Sequence, residues 1–430
     1  MSEDVKALGE LAAEGAGGFA GLVRDTHRAI ADRAFGPTGP ASAPVRVVHD
    51  GVSALVYGAV RAGVSGAVRA GGLVAAARGT SLESSRRGRL VLGAVNGAWG
   101  DRLAAEGSPL AISLGFRGEL PPANPTSRIA VFVHGLGETD ESWQLGGDRS
   151  EPYPSRLLAD HGFTPLVLRY NTGLHISQNG RALAELLDET CRAWPVRVDE
   201  VVLIGHSMGG LVGRSACHYA TELGFGWVEQ VRHVFSLGSP FNGADLEKAT
   251  NVVTWALGAL PETRALATAL NHRSAGVKDL RYGNLTDACW YDRDPDALLQ
   301  DHRCEIPWLE HAQHTFISAE LFGSAEHPVG RVFGDLLVRT PSAWAGGLHG
   351  EHTEFLIDSS HSIGPANHFT LLNHPDVYDK IREQLLRGRE LLPGASPPKE
   401  LAAATRRGQA CVASMPRRSP SSSRRSVMST

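Results

Sequence analysis

From about residue 90 to residue 392, short apolar runs alternate with stretches whose apolar residues recur at helical spacing. The runs that read as strands are Leu110–Phe116, Arg128–His134, Thr164–Tyr170, Glu200–Gly205, Val231–Leu237, His314–Ala319 and Thr353–Asp358. Helices are expected over Ser150–His161, Asn179–Ala193, Met208–Glu222 and Pro375–Leu386. Strands that alternate with helices predict a sheet with crossover helices, since a parallel neighbour can be reached only by a long connection. One block, from about Asp245 to Leu309, interrupts this rhythm between two strands and carries Trp255, Leu257, Leu260, Trp290 and Trp308. It reads as an insertion.

The flanks follow other rules. Residues 1–90 are rich in Ala, Gly and Val without a period-two strand, and a helical N-terminal region is expected there. Within it, GAVRAGVS and GAVRAGG form a near-repeat at 58–65 and 66–72, and Val56, Val60, Val64 and Val68 make a slowly drifting helical stripe. A helix packed through small residues accounts for this pattern. An amphipathic helix touching a membrane surface through residues 56–78 is the alternative, and Arg61 and Arg69 count against a membrane span. From residue 393 to 430 the chain is rich in Ser, Pro and Arg and too poor in apolar residues to pack. The expected division is therefore 1–90, 91–392 and 393–430.

With 42% hydrophobic and 20% charged residues among 430, the chain can bury a large core, and its net charge of -4 gives no reason to expect nucleic acid as a partner. Cys191, Cys217, Cys289, Cys304 and Cys411 lack metal-site spacing and read as free thiols of a reducing compartment. Cys289 and Cys304 could pair across a loop in an exported protein. No cluster of His, Cys and carboxylate has ligand spacing, so no metal or other cofactor is expected. The start Met1-Ser2-Glu3-Asp4 is acidic where a signal peptide is basic, and no uncharged apolar run is long enough to span a bilayer. The cytoplasm is the expected location, with membrane association left open.

The strongest local signal is Val201-Val202-Leu203-Ile204-Gly205-His206-Ser207-Met208-Gly209-Gly210-Leu211. A buried strand runs into Gly-x-Ser-x-Gly and a helical pattern follows at once, the context a nucleophile elbow requires. The glycines two residues either side relieve clashes around a serine held at a strained position. The following helix points its N-terminus at developing negative charge. A serine that merely caps a tight turn is the plain alternative. Upstream, Ile129-Ala130-Val131-Phe132-Val133 ends in His134-Gly135-Leu136-Gly137-Glu138, a second strand entering a glycine turn. Acyl transfer needs two backbone N–H groups on the carbonyl oxygen, and the amides of Met208 and Leu136 are the candidates.

VFVHGLGE, GHSMGG and the strand end Leu237-Gly238-Ser239-Pro240-Phe241-Asn242-Gly243 together resemble the lipase and carboxylesterase branch of the α/β-hydrolase superfamily, over roughly Asn96 to Leu391. The resemblance implies a mostly parallel eight-stranded sheet with helices on both faces, a lid insertion at about 245–309, and an active site at the strands' C-terminal edge. It also implies the chain order serine, acid, histidine. The favoured acid is Asp335, in a segment similar to the family's Asp-Gly-x-Val turn but with Leu336 where glycine is usual; Asp358 and Asp301 are reserves. The favoured base is His368, ahead of Leu371-Leu372, with His361 and His374 as competitors. His374-Pro375 looks like a helix entry.

The expected chemistry is hydrolysis of hydrophobic carboxylic esters or lipids through an acyl-enzyme. An acyltransferase or thioesterase would use the same triad, and a lipid-binding scaffold without catalysis is the reading from another class.

Overall fold

The computed structural model describes residues 2–35, 81–147, 150–243, 271–319 apart from 299 and 305, and 360–390 apart from 365, with isolated residues between 46 and 66. It divides into two units, Met1–Ile381 and Arg382–Thr430. The first unit is built on one sheet. Its strands are β1 (Gly115–Phe116), β2 (Arg128–Val133), β3 (Thr164–Arg169), β4 (Glu200–His206), β5 (Val231–Leu237), β6 (Gln313–Ala319) and β7 (Ser360–Ile363). They lie in the order β1-β3-β2-β4-β5-β6-β7, with β1 antiparallel to β3 and every other pair parallel.

The centre of the sheet is the most apolar part. From Ile129 to Val133 on β2 and from Val201 to Ile204 on β4, no residue exceeds 1% exposure. Both faces of these strands are covered, as a parallel sheet demands. The helices Ile176–Arg192 and Met208–Leu223 make the crossovers around β4, and each puts an apolar stripe, Leu183–Leu187 and Leu211–Val212–Ala216, into the same core. Register then decides what meets at the C-terminal edge: Val133 stands beside Gly205, and His206 beside Leu237.

Among the described residues the sheet has seven strands against the eight the resemblance implies. The expected run Leu110–Phe116 contributes only Gly115–Phe116. The side chain of Asn96 takes the neighbouring backbone instead, donating to the Leu110 carbonyl at 2.7 Å and accepting the Ile112 N–H at 2.9 Å. Leu110 and Ile112 pack with Leu92 and Leu103 in a small separate core. The run Thr353–Asp358 lies outside the described residues, and the last strand is found just beyond it, at Ser360–Ile363.

The N-terminal region is helical where described. Glu3–Phe35 forms one helix and Arg86–Ala105 a second, which crosses the expected boundary between residues 90 and 91 and was not among the expected helices. Asp4 ties the first helix to the short turn ahead of the second by accepting from Ser81 Oγ and the Leu82 N–H, both at 2.6 Å. The near-repeat at 58–72 falls almost entirely outside the described residues. Among those described, no helix is long and apolar enough to cross a membrane.

Candidate active site

β4 ends at His206, and the next residue leaves the strand in a conformation that side chains rarely adopt: Ser207 has φ 53° and ψ -123°. Its N–H donates to the Leu237 carbonyl at 2.8 Å, and its own carbonyl accepts the Gly210 N–H at 3.2 Å. Such a turn leaves no room for a side chain two residues to either side. A Cβ on Gly205 would stand 2.4 Å from the Gly210 nitrogen, and one on Gly209 would stand 2.1 Å from the Val133 oxygen. The serine is thus lifted to the apex between β4 and the helix Met208–Leu223, whose N-terminal dipole faces the same spot.

The turn after β2 runs against this apex. A Cβ on Gly135 would lie 3.0 Å from Ser207 Cβ. His134 stacks on Tyr170 with ring centroids 4.4 Å apart, and the Tyr170 hydroxyl donates to the His134 carbonyl at 2.7 Å. Burial pushes the His134 imidazole down to about 4, so it is neutral at ordinary pH. Leu136 follows, half-buried against the core, and the Gly137 N–H donates to Thr172 Oγ1 at 3.1 Å. Met208, the residue after the serine, is fully buried.

His368 approaches from the far end of the chain. It opens the 3₁₀ turn His368–Leu372, which Asn367 caps by accepting the Thr370 N–H at 3.0 Å. Its ring lies over Gly238: a Cβ there would meet Cε1 at 2.9 Å and Nδ1 at 3.0 Å. Gly238 directly follows Leu237, whose carbonyl holds the Ser207 amide, so the Leu237–Gly238 turn is shared by both residues. His368 is 3% exposed.

The other candidates lie as follows. Asp335 and Asp358 are outside the described residues. Asp301 is on an exposed loop, held by the Arg303 guanidinium at 2.7 Å. His361 sits on β7 beside Ile317. His374 precedes the closing helix, its Nδ1 accepting the Asp376 N–H at 3.2 Å and its own N–H donating to Tyr153 Oη at 2.6 Å.

Two features of the site escaped the sequence analysis. The first is Glu138, whose buried carboxylate accepts the Gly135 N–H at 2.7 Å and faces His206 Nδ1 at 2.9 Å. The second is the helix Arg86–Ala105. Gly93, Gly97 and Gly100 bring its backbone onto the loops around the serine: a Cβ on Gly97 would lie 2.7 Å from Gly137 Cα, and one on Gly93 2.7 Å from the Glu138 oxygen. The three-to-four spacing of those glycines was the available signal, since it puts them on one helix face.

A family model described as a PGAP1-like alpha/beta domain matches residues 182–265, a stretch that includes β4, the Ser207 turn, its helix and β5. With a strand–serine–helix elbow at the centre of a parallel sheet, that match decides the architecture. The fold is that of the α/β hydrolases. Similar solved structures include a lipase of Bacillus licheniformis in its propeptide form, at 19% identity and a TM-score of 0.41, the alignment covering 64% of this chain and 53% of that one. The mature form aligns at 17% identity and a TM-score of 0.40, over 64% and 98% of the two chains. A Pyrococcus furiosus esterase aligns at 12% and 0.34, over 61% and 82%. No curated protein sequence matches the chain. The chain departs from the plain sheet through its N-terminal helices and through the insertion after β5. Within the insertion, Trp290 stacks on His175 at 3.8 Å and Trp308 packs edge-on against Phe241 and Phe316, so both described tryptophans anchor it to the body.

Proposed function

We propose that the chain is a serine hydrolase that cleaves carboxylic esters with hydrophobic acyl groups through an acyl-enzyme. Ser207 attacks the ester carbonyl while His368 takes its proton, oriented by the carboxylate of Asp335. The amides of Leu136 and Met208 hold the oxyanion, the alcohol leaves with the proton from His368, and water completes the cycle by the same route. The observation that carries this reading is the left-handed Ser207 itself. A strained non-glycine residue persists only where its surroundings enforce it, and here two glycines and the Leu237 carbonyl do so.

The acyl preference is supported by a cavity of about 350 Å³ whose apolar wall is Val234, Phe241, Pro307, Trp308 and Leu309, with Gly210, Arg214, His218, Glu222 and His314 also in its lining. The test is a p-nitrophenyl ester series from acetate to palmitate, beside fluorophosphonate labelling. Wild type should take the label on Ser207 and turn over the longer acyl chains faster than acetate. Ser207→Ala should lose label and turnover, and His368→Ala and Asp335→Asn should each lower kcat by roughly three to four orders of magnitude. Turnover retained by Ser207→Ala would end the hydrolase reading.

A further inference from the structure

Behind the nucleophile lies a second carboxylate–imidazole pair that the hydrolytic cycle does not use. His206 is fully buried and the Glu138 side chain is 8% exposed. His206 Nδ1 stands 2.9 Å from Glu138 Oε1, and Nε2 stands 3.2 Å from the main-chain oxygen of His368. A carbonyl oxygen only accepts, so Nε2 carries a proton. The second carboxylate oxygen of Glu138 accepts the Gly135 N–H at 2.7 Å, which favours its ionised form. Burial pushes Glu138 upward, yet His206 and that amide outweigh it and hold the carboxyl below the usual range. Nδ1 faces this ionised carboxylate at ion-pair distance but outside hydrogen-bond geometry, and a lone pair there would be repelled by it, so Nδ1 carries a proton too.

A neutral imidazole has one N–H and could reach only one of these two acceptors. Among the described residues, the titratable side chains around the ring are Glu138, His134 and His368, and neutral His134 offers no competing charge. We propose that His206 is a buried imidazolium, ion-paired with Glu138, that ties the oxyanion turn to the turn carrying His368. The Gly135 amide holds one end of this strut and the His368 carbonyl the other. The pair sets the spacing between the oxyanion donors and the general base, and touches neither substrate nor reacting atoms. Its catalytic consequence rests on the hydrolase reading above; its protonation state does not.

The full-length protein carries the test. Nitrogen-15 NMR of the histidine rings, with His206 assigned through the backbone, should show both ring nitrogens protonated at neutral pH. A neutral ring with one N–H would overturn the proposal, and this readout needs no variant to fold. In p-nitrophenyl ester kinetics, Glu138→Gln and His206→Gln should each lower kcat on the order of 10- to 100-fold and leave KM within about twofold, because a single change strands a buried charge. The double variant should lose less than the product of the two, by a factor on the order of 10, and independent multiplication of the two losses would refute the coupling. If wild type neither takes the fluorophosphonate nor cleaves any ester, the hydrolase reading falls alone, and the NMR result still decides the ion pair.

Discussion

Ser207 stores strain at one residue. A left-handed side chain costs about 1–2 kcal/mol, which glycine would not incur, and glycine's extra chain entropy costs about 0.5–1 kcal/mol. Ser207→Gly should therefore unfold at no lower denaturant concentration than wild type, although it carries no nucleophile. Gly209→Ala should do the reverse. Its Cβ would stand 2.1 Å from the Val133 oxygen, and moving β2 or the helix to make room should cost at least about 2 kcal/mol. A denaturation series on both variants checks the pair, and an unchanged midpoint for Gly209→Ala would show that the elbow is looser than its geometry. Ser207 was legible in the sequence because a short motif and its two flanking elements are all local. Glu138 was not. Its role depends on a histidine sixty-eight positions away that only the pairing of β2 beside β4 brings within 2.9 Å.

At the level of elements, the helix Arg86–Ala105 decides more than its place in an N-terminal flank suggests. Its glycine face lets the backbone press on the turn that carries Leu136, while Ser274 Oγ donates to the Gly97 carbonyl at 2.6 Å and links the same helix to the insertion. A valine at Gly97 would drive its Cβ into Gly137, 2.7 Å away, and shift the expected oxyanion donor. Gly97→Val should lower kcat for a p-nitrophenyl ester by about 10-fold or more, up to the roughly 100- to 1,000-fold of losing one such donor outright. Val91→Ala, on the exposed side of the same helix, should leave kcat within about twofold. Equal kinetics for the two variants would mean that the helix is only a surface cover. The pattern of apolar positions did predict the helices Tyr153–His161, Ile176–Arg192, Met208–Leu223 and Pro375–Glu390 to within a few residues, since each is amphipathic against the sheet. It missed Arg86–Ala105, whose packing face mixes glycines with only a few apolar residues such as Leu92 and Leu103.

Across the whole molecule, acid should be the weakness. His134, His233 and His314 are all buried, and burial pushes each down to about 4 from 6.5. Between those values the unfolded chain binds protons that the folded one refuses, so stability is intact above about pH 6.5 and falls as pH drops toward 4. At about 1.4 kcal/mol per unit of pKa difference, a single histidine is worth up to roughly 3 kcal/mol at the acid end. Urea unfolding at pH 7.5 and pH 5 should show a loss of several kcal/mol at the lower pH. A flat profile would mean that these rings gain protons without unfolding.

The order of apolar runs, the two glycine turns and the serine between them were enough to determine a parallel sheet with an elbow at its centre, because strand burial and backbone strain are written in neighbouring residues. That the His368 ring lies over Gly238, that Glu138 is buried beside His206 and that the helix Arg86–Ala105 presses on the turn after β2 were decided only in three dimensions. Those choices join residues forty or more positions apart, and only the stacking of elements at one sheet edge brings such distant residues into contact.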